Sequence, residues 1–99
     1  MSFKFNFSWD INKALTNKKK HKVTFEEATV VFQDQNALSL YDEEHSHNED
    51  RWLTLGKCPN LKILLVVHTY VEYNENMAEV RIISARKASS TEAKAYKGG

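Results

Sequence analysis

At 99 residues with a single cysteine, Cys58, the chain is sized for one domain without an internal disulfide, which suits a reducing compartment. Its longest apolar run, Ile63 to Val67, falls far short of the roughly 20 residues that cross a bilayer, so no membrane partner and a cytoplasmic location are expected. The net charge of +1 conceals a segregation: residues 1–24 hold six lysines against Asp10, whereas residues 25–50 hold eight carboxylates and no lysine or arginine. Such a division lets one region attract phosphate while another repels it.

Phe3, Phe5, Phe7 and Trp9 alternate with Lys4, Asn6 and Ser8, the pattern of a half-buried strand whose aromatic face serves core packing, with base stacking as the alternative. Asp10 is a good N-cap, and Ile11, Ala14 and Leu15 keep helical spacing before Lys18, Lys19 and Lys20. Those lysines either complement the helix macrodipole or, with His21, contact phosphate. Thr24 and Glu27 form a capping box ahead of a stripe of Phe25, Ala28, Val31 and Phe32. Asp34 and Asn36 mark the exit of that helix, and Ala37 to Tyr41 has the alternation of a strand.

Residues 42–50 are too polar for anything but an exposed turn. His45 and His47 lie there among five carboxylates, but an acidic loop supplies no second shell, and no metal site is assigned. Arg51 to Gly56 reads as a strand, and Cys58, Pro59 and Asn60 as a turn. Lys62 to Tyr73, apolar on both faces at its centre, reads as a mid-sheet strand. On it His68 shares a face with Leu64 and Val66, as either a core histidine or a catalytic one. A polar hairpin connection over Glu72 to Glu79 leads into a core strand, Val80 to Ala85, with Arg86 and Lys87 at its end. If that strand is regular, Arg81 and Arg86 point to opposite faces. Ser89 and Glu92 form a second capping box, opening a short helix that ends at Gly98. The order β-α-α-β-β-β-β-α predicts a single α+β domain over residues 1–99: an antiparallel sheet with two N-terminal helices and a short C-terminal helix, the helices on one side.

Several blocks resemble the BrnT family of bacterial type II toxins. They are Trp9-Asp10 with Asn12-Lys13-Ala14, Lys20-His21, Phe25-Glu26-Glu27-Ala28 with Val31-Phe32 and Asp34, Asp42 and His45 ahead of Arg51-Trp52, Leu55-Gly56, Val66-Val67-His68-Thr69, and Arg81-Ile82-Ile83-Ser84-Ala85-Arg86-Lys87-Ala88. The resemblance implies a RelE-like fold and an RNA-cleaving toxin, held inactive by a BrnA-like ribbon-helix-helix antitoxin. Operator DNA would then be met only through the antitoxin. The chain departs from the family pattern at Lys22, where glycine is usual, and at Ala93 and Ala95, where charged residues are common.

No Walker loop, dinucleotide turn, nucleophile elbow or zinc-ligand quartet is present. A ribonuclease needs no cofactor when the substrate 2′-hydroxyl is the nucleophile, and none is expected. The protein then positions phosphate and neutralises the charge that builds on it, for which guanidinium groups suit. The chain has three, Arg51, Arg81 and Arg86. Arg51 with Arg81 or Arg86 is expected to clamp the scissile phosphate, with His68, His21 or Tyr96 moving the proton. Lys18, Lys19, Lys20, His21 and Lys87 are the expected RNA-backbone contacts. The alternative is a non-catalytic partner that binds its antitoxin and strengthens repression of their own operon.

Overall fold

Capping chemistry and strand alternation set the elements of a computed structural model that describes residues 3–98. In order they are β1 (Lys4–Trp9), α1 (Ile11–His21), α2 (Phe25–Val30), a 3-10 turn (Val31–Gln33), β2 (Leu38–Tyr41), β3 (Arg51–Lys57), β4 (Ile63–Thr69), β5 (Val71–Asn74), β6 (Met77–Lys87) and α3 (Ser90–Tyr96). Asp10 caps α1 by accepting from the Asn12 and Lys13 amides, and reciprocal boxes, Thr24 with Glu27 and Ser89 with Glu92, open α2 and α3. Each such cap is worth about 1 kcal/mol. α1 ends through Lys22 in the left-handed region, φ 61°, where glycine has no Cβ to crowd the backbone.

The sheet order is β1-β6-β4-β3-β2, with β5 also paired to β6. The apolar β4 therefore lies at its centre. Several expectations need correction. The sheet is only mostly antiparallel, because β1 runs parallel to β6, reached through nearly the whole intervening chain as a crossover. The strand expected over Lys62 to Tyr73 is broken at Tyr70 into β4 and β5, and the long polar connection shrinks to a turn at Glu75 and Asn76.

α1, α2 and the 3-10 turn cover one face. Val23, Phe25, Ala28 and Val31 bury completely against Leu64, Val66, Val80, Ile82 and Ala85, and Phe5, Phe7, Trp9 and Phe32 pack around them. The alternating rings of β1 thus serve the core. Gly56 permits this close approach, since a Cβ there would lie 2.6 Å from Val31 Cγ1. α3 instead lies on the opposite face, where Glu92 and Ala95 meet Leu38, Leu53, Leu55 and Leu65, so the helices are not all on one side.

β1 stops where Trp9 pairs with Ile82, leaving the rest of that β6 edge without a strand. The buried Asn17 of α1 fills the gap: its amide donates to the carbonyls of Ala85 at 2.8 Å and Val23 at 3.0 Å, and its oxygen accepts from the Ala85 amide at 3.1 Å. A side chain thereby completes a ladder that would otherwise bury orphan backbone groups. Among the described residues no helix is long and apolar enough to cross a membrane.

Candidate nucleic-acid interface

Register decides which side chains share a face. Across β4 and β6, Val67 pairs with Ser84 and His68 with Ile82, so Ile83 is an extra residue on β6. Such a bulge reverses the in-out alternation beyond it. Ala78, Val80, Ile82 and Ala85 all turn to the core, while Arg81, Ser84 and Arg86 all turn to the other face. The two arginines that a regular strand would separate are brought onto one side. Arg51 joins them, since it pairs with Thr69, whose hydroxyl accepts from the Arg81 amide at 3.2 Å. The centre of this face is Leu53, Leu65 and Val67. Arg81 and Arg86 stand near the Thr69 and Leu65 ends of β4, about 13 Å apart at strand rise.

Each arginine already faces a carboxylate. Glu49 of the acidic loop bonds Arg81 and lies 4.0 Å from Arg51 Nε. That Nε is buried and has no hydrogen-bond acceptor among the described residues. Arg86 forks onto Glu92, both contacts at 2.9 Å, and this pairing lowers the Glu92 carboxyl to about 2 and raises the guanidinium further. A cleft of about 330 Å³ beside Arg81 is bordered by Ser8, Thr69, Tyr70, Val71 and three carboxylates, Glu49, Asp50 and Glu79. The acidic segment thus lies against the strand cations.

A second depression, about 370 Å³, runs between α1 and the bulge, with Lys13, Lys20 and His21 on one wall and Ser84 on the other. Its one carboxylate, Asp10, is engaged in capping α1. Ser84 lies between Arg81 and Arg86 on the strand, so this groove adjoins the arginine face. The expected backbone contacts divide around the helix: Lys20 and His21 line the groove, Lys18 and Lys19 border a separate depression with Leu15 and Lys22, and Lys87 is exposed at the end of β6.

The three candidates for proton transfer lie apart. His68 is 2% exposed on the core face, away from the arginines. Its Nδ1–H donates to the Thr69 carbonyl at 2.9 Å, its Nε2 lies 2.7 Å from the Thr54 hydroxyl, and burial pushes its pKa down, keeping it neutral. Tyr96 donates to Asp34, which raises the phenol to about 12 and pins α3 to the turn before β2. Only His21 opens onto a cationic groove. Glu49, Lys13, Ser84 and Asn17 were missed by sequence reasoning. Asn17 was findable, because Ala14, Asn17 and His21 follow helical spacing and a polar residue on such a stripe demands a buried partner.

Fold and side chains together define a small α+β protein whose cations gather on one sheet face and the helix groove beside it. The family model for BrnT, described as the ribonuclease toxin of type II toxin-antitoxin systems, matches residues 9–92, and the chain belongs to that family. Membership implies an antitoxin partner. The fold is also that of the Brucella abortus ribonuclease toxin BrnT, known from a 1.1 Å crystal structure: TM-score 0.61, 24% identity, 88% of this chain covered and 100% of that one. No curated protein matches the chain by sequence.

Proposed function

We propose that this chain is a metal-independent endoribonuclease of the cytoplasm, built on a RelE-like plan and neutralised by a BrnA-like ribbon-helix-helix antitoxin that alone touches operator DNA. The observation that carries the reading is the placement of Arg51, Arg81 and Arg86 on one face beside the Lys13, Lys20 and His21 groove. In this reading the RNA backbone follows the groove past Ser84 onto the sheet. A phosphate displaces Glu49 and receives the guanidinium of Arg81 and the unpartnered Nε–H of Arg51. The substrate 2′-hydroxyl attacks that phosphate and the bond to the next nucleotide's 5′-oxygen breaks, leaving a 2′,3′-cyclic phosphate. Water takes the hydroxyl proton and returns one to the departing oxygen, while His21 holds the RNA backbone in the groove. Arg86 holds α3 through Glu92 at the far end.

A second reading, an antitoxin-binding co-repressor without catalysis, is favoured by a specific observation: Arg81 and Arg86 are each ion-paired with a glutamate, and Arg51 borders the same Glu49. Incubation of the purified chain with RNA and with translating ribosomes, with and without chelator, separates the two. Cleavage that survives chelator and is lost in His21→Ala and Arg81→Ala supports the nuclease. Intact RNA in both settings at high protein, together with growth unaffected by overexpression without antitoxin, gives the co-repressor.

A further inference from the structure

A cavity of about 560 Å³ opens on the helix-bearing face and takes no part in the reading above. Phe5, Phe32, Trp52 and Tyr70 wall it, and Ser39, Thr54 and His68 form its polar side. Hydrogen-bond direction there is fixed from the buried end. His68 Nδ1 faces the Thr69 carbonyl, which can only accept, so Nδ1 carries the proton and Nε2 of the neutral ring is an acceptor. The Thr54 hydroxyl must therefore donate to Nε2 at 2.7 Å, and the Ser39 hydroxyl must donate to Thr54 at 2.8 Å. Ser39, the exposed end of the chain, is left with only lone pairs for a ligand. Glu72, also on the lining and already accepting from Tyr70 at 3.3 Å, offers a second acceptor.

We propose that this cavity is a nucleobase pocket, taking the ring of an amino-bearing base, adenine, guanine or cytosine, between its aromatic walls with the exocyclic amine donating to Ser39 and Glu72. Flat aromatic walls hold any base by stacking, and the acceptor-only rim chooses among them. Uracil presents carbonyl oxygens on either side of its N3–H and meets those lone pairs unfavourably. An anion is rejected by Glu72, so the base and not the phosphate enters. Tyr70 borders both this cavity and the cleft at Arg81, which places the pocket at the arginine end of the sheet. The inference rests on the RNA reading only for the polymer that brings the base.

Free nucleosides test it, because they carry no phosphate for the arginines and so leave the nuclease reading standing or falling on its own assay. The full chain, isotope-labelled, is titrated with adenosine, guanosine, cytidine and uridine into the millimolar range while the Trp52 indole N–H resonance is followed by heteronuclear NMR against that of Trp9, with unlabelled N-acetyltryptophanamide as the protein-like competitor. Saturable shifts of the Trp52 resonance by the amino-bearing nucleosides are expected, with uridine weaker by at least about fivefold, the worth of one neutral hydrogen bond. Ser39→Ala combined with Glu72→Ala, both at exposed positions, should erase that preference, and Arg81→Ala should leave it unchanged. No saturable binding, uridine binding as tightly as the others, a preference that survives the loss of both Ser39 and Glu72, or tryptophanamide outcompeting every nucleoside overturns the proposal.

Discussion

Asn17→Ala is the most informative perturbation of the scaffold. The substitution removes three hydrogen bonds, to the Val23 carbonyl and to both backbone groups of Ala85, at 2.8 to 3.1 Å. Each is worth about 1 kcal/mol net, and the partners left behind are buried with no strand to take them, so about 3 kcal/mol of stability should be lost. For a domain of this size each kcal/mol moves the melting temperature by about 4–8 °C, so a fall of about 12–24 °C is expected. Asn17→Asp keeps the acceptor for the Ala85 amide but sets a carboxylate beside two carbonyl oxygens, and at neutral pH it should cost at least as much. Urea denaturation gives the free energy, and hydrogen exchange at the Ala85 amide reports the local opening. A cost below about 1 kcal/mol for Asn17→Ala, with Ala85 still protected, would refute the claim that this side chain closes the sheet edge.

Lys22→Gly should stabilise the protein by about 1 kcal/mol, the Cβ strain of the left-handed region at φ 61°, read as a higher urea midpoint at unchanged slope. Gly56→Ala should destabilise it by about 1–3 kcal/mol, since the new methyl meets Val31 Cγ1 at 2.6 Å and a backbone carbonyl at 3.1 Å; an unchanged melting temperature would contradict the packing. The Glu92 carboxyl, held near 2 in the folded chain against an ordinary 4.5, contributes stability that is full above about pH 4.5 and lost as pH falls towards 2. With Arg86 41% exposed, solvent screening leaves about 1 kcal/mol, and Glu92→Gln should flatten the acid limb of the stability curve by that amount. His68 titrates with the opposite logic: burial lowers its pKa, so below about pH 6.5 the unfolded chain binds a proton that the folded one refuses, and stability declines. The decline should vanish in His68→Gln.

Much of this molecule is local and therefore written in short stretches of sequence. The alternation of Phe5, Phe7 and Trp9, the Asp10 cap and the boxes at Thr24 and Ser89 each act over two to four residues, and their elements form where those patterns stand. The apolar centre of β4 likewise announces a mid-sheet strand, and the ordered blocks from Trp9 to Ala88 carry the family. The face on which each arginine lies could not be read in this way. It depends on one extra residue, Ile83, whose placement is set by pairing with β4, and a single inserted residue inverts every side chain after it. Partner choice was equally out of reach: Asn17 meets Ala85 across 68 positions and Glu49 meets Arg81 across 32. Sequence supplied the cations, the carboxylates and the elements that carry them. Tertiary pairing alone decided that His68 turns inward, that the arginines turn outward together, and that Glu49 stands between two of them, because those outcomes rest on register and on contacts between distant segments.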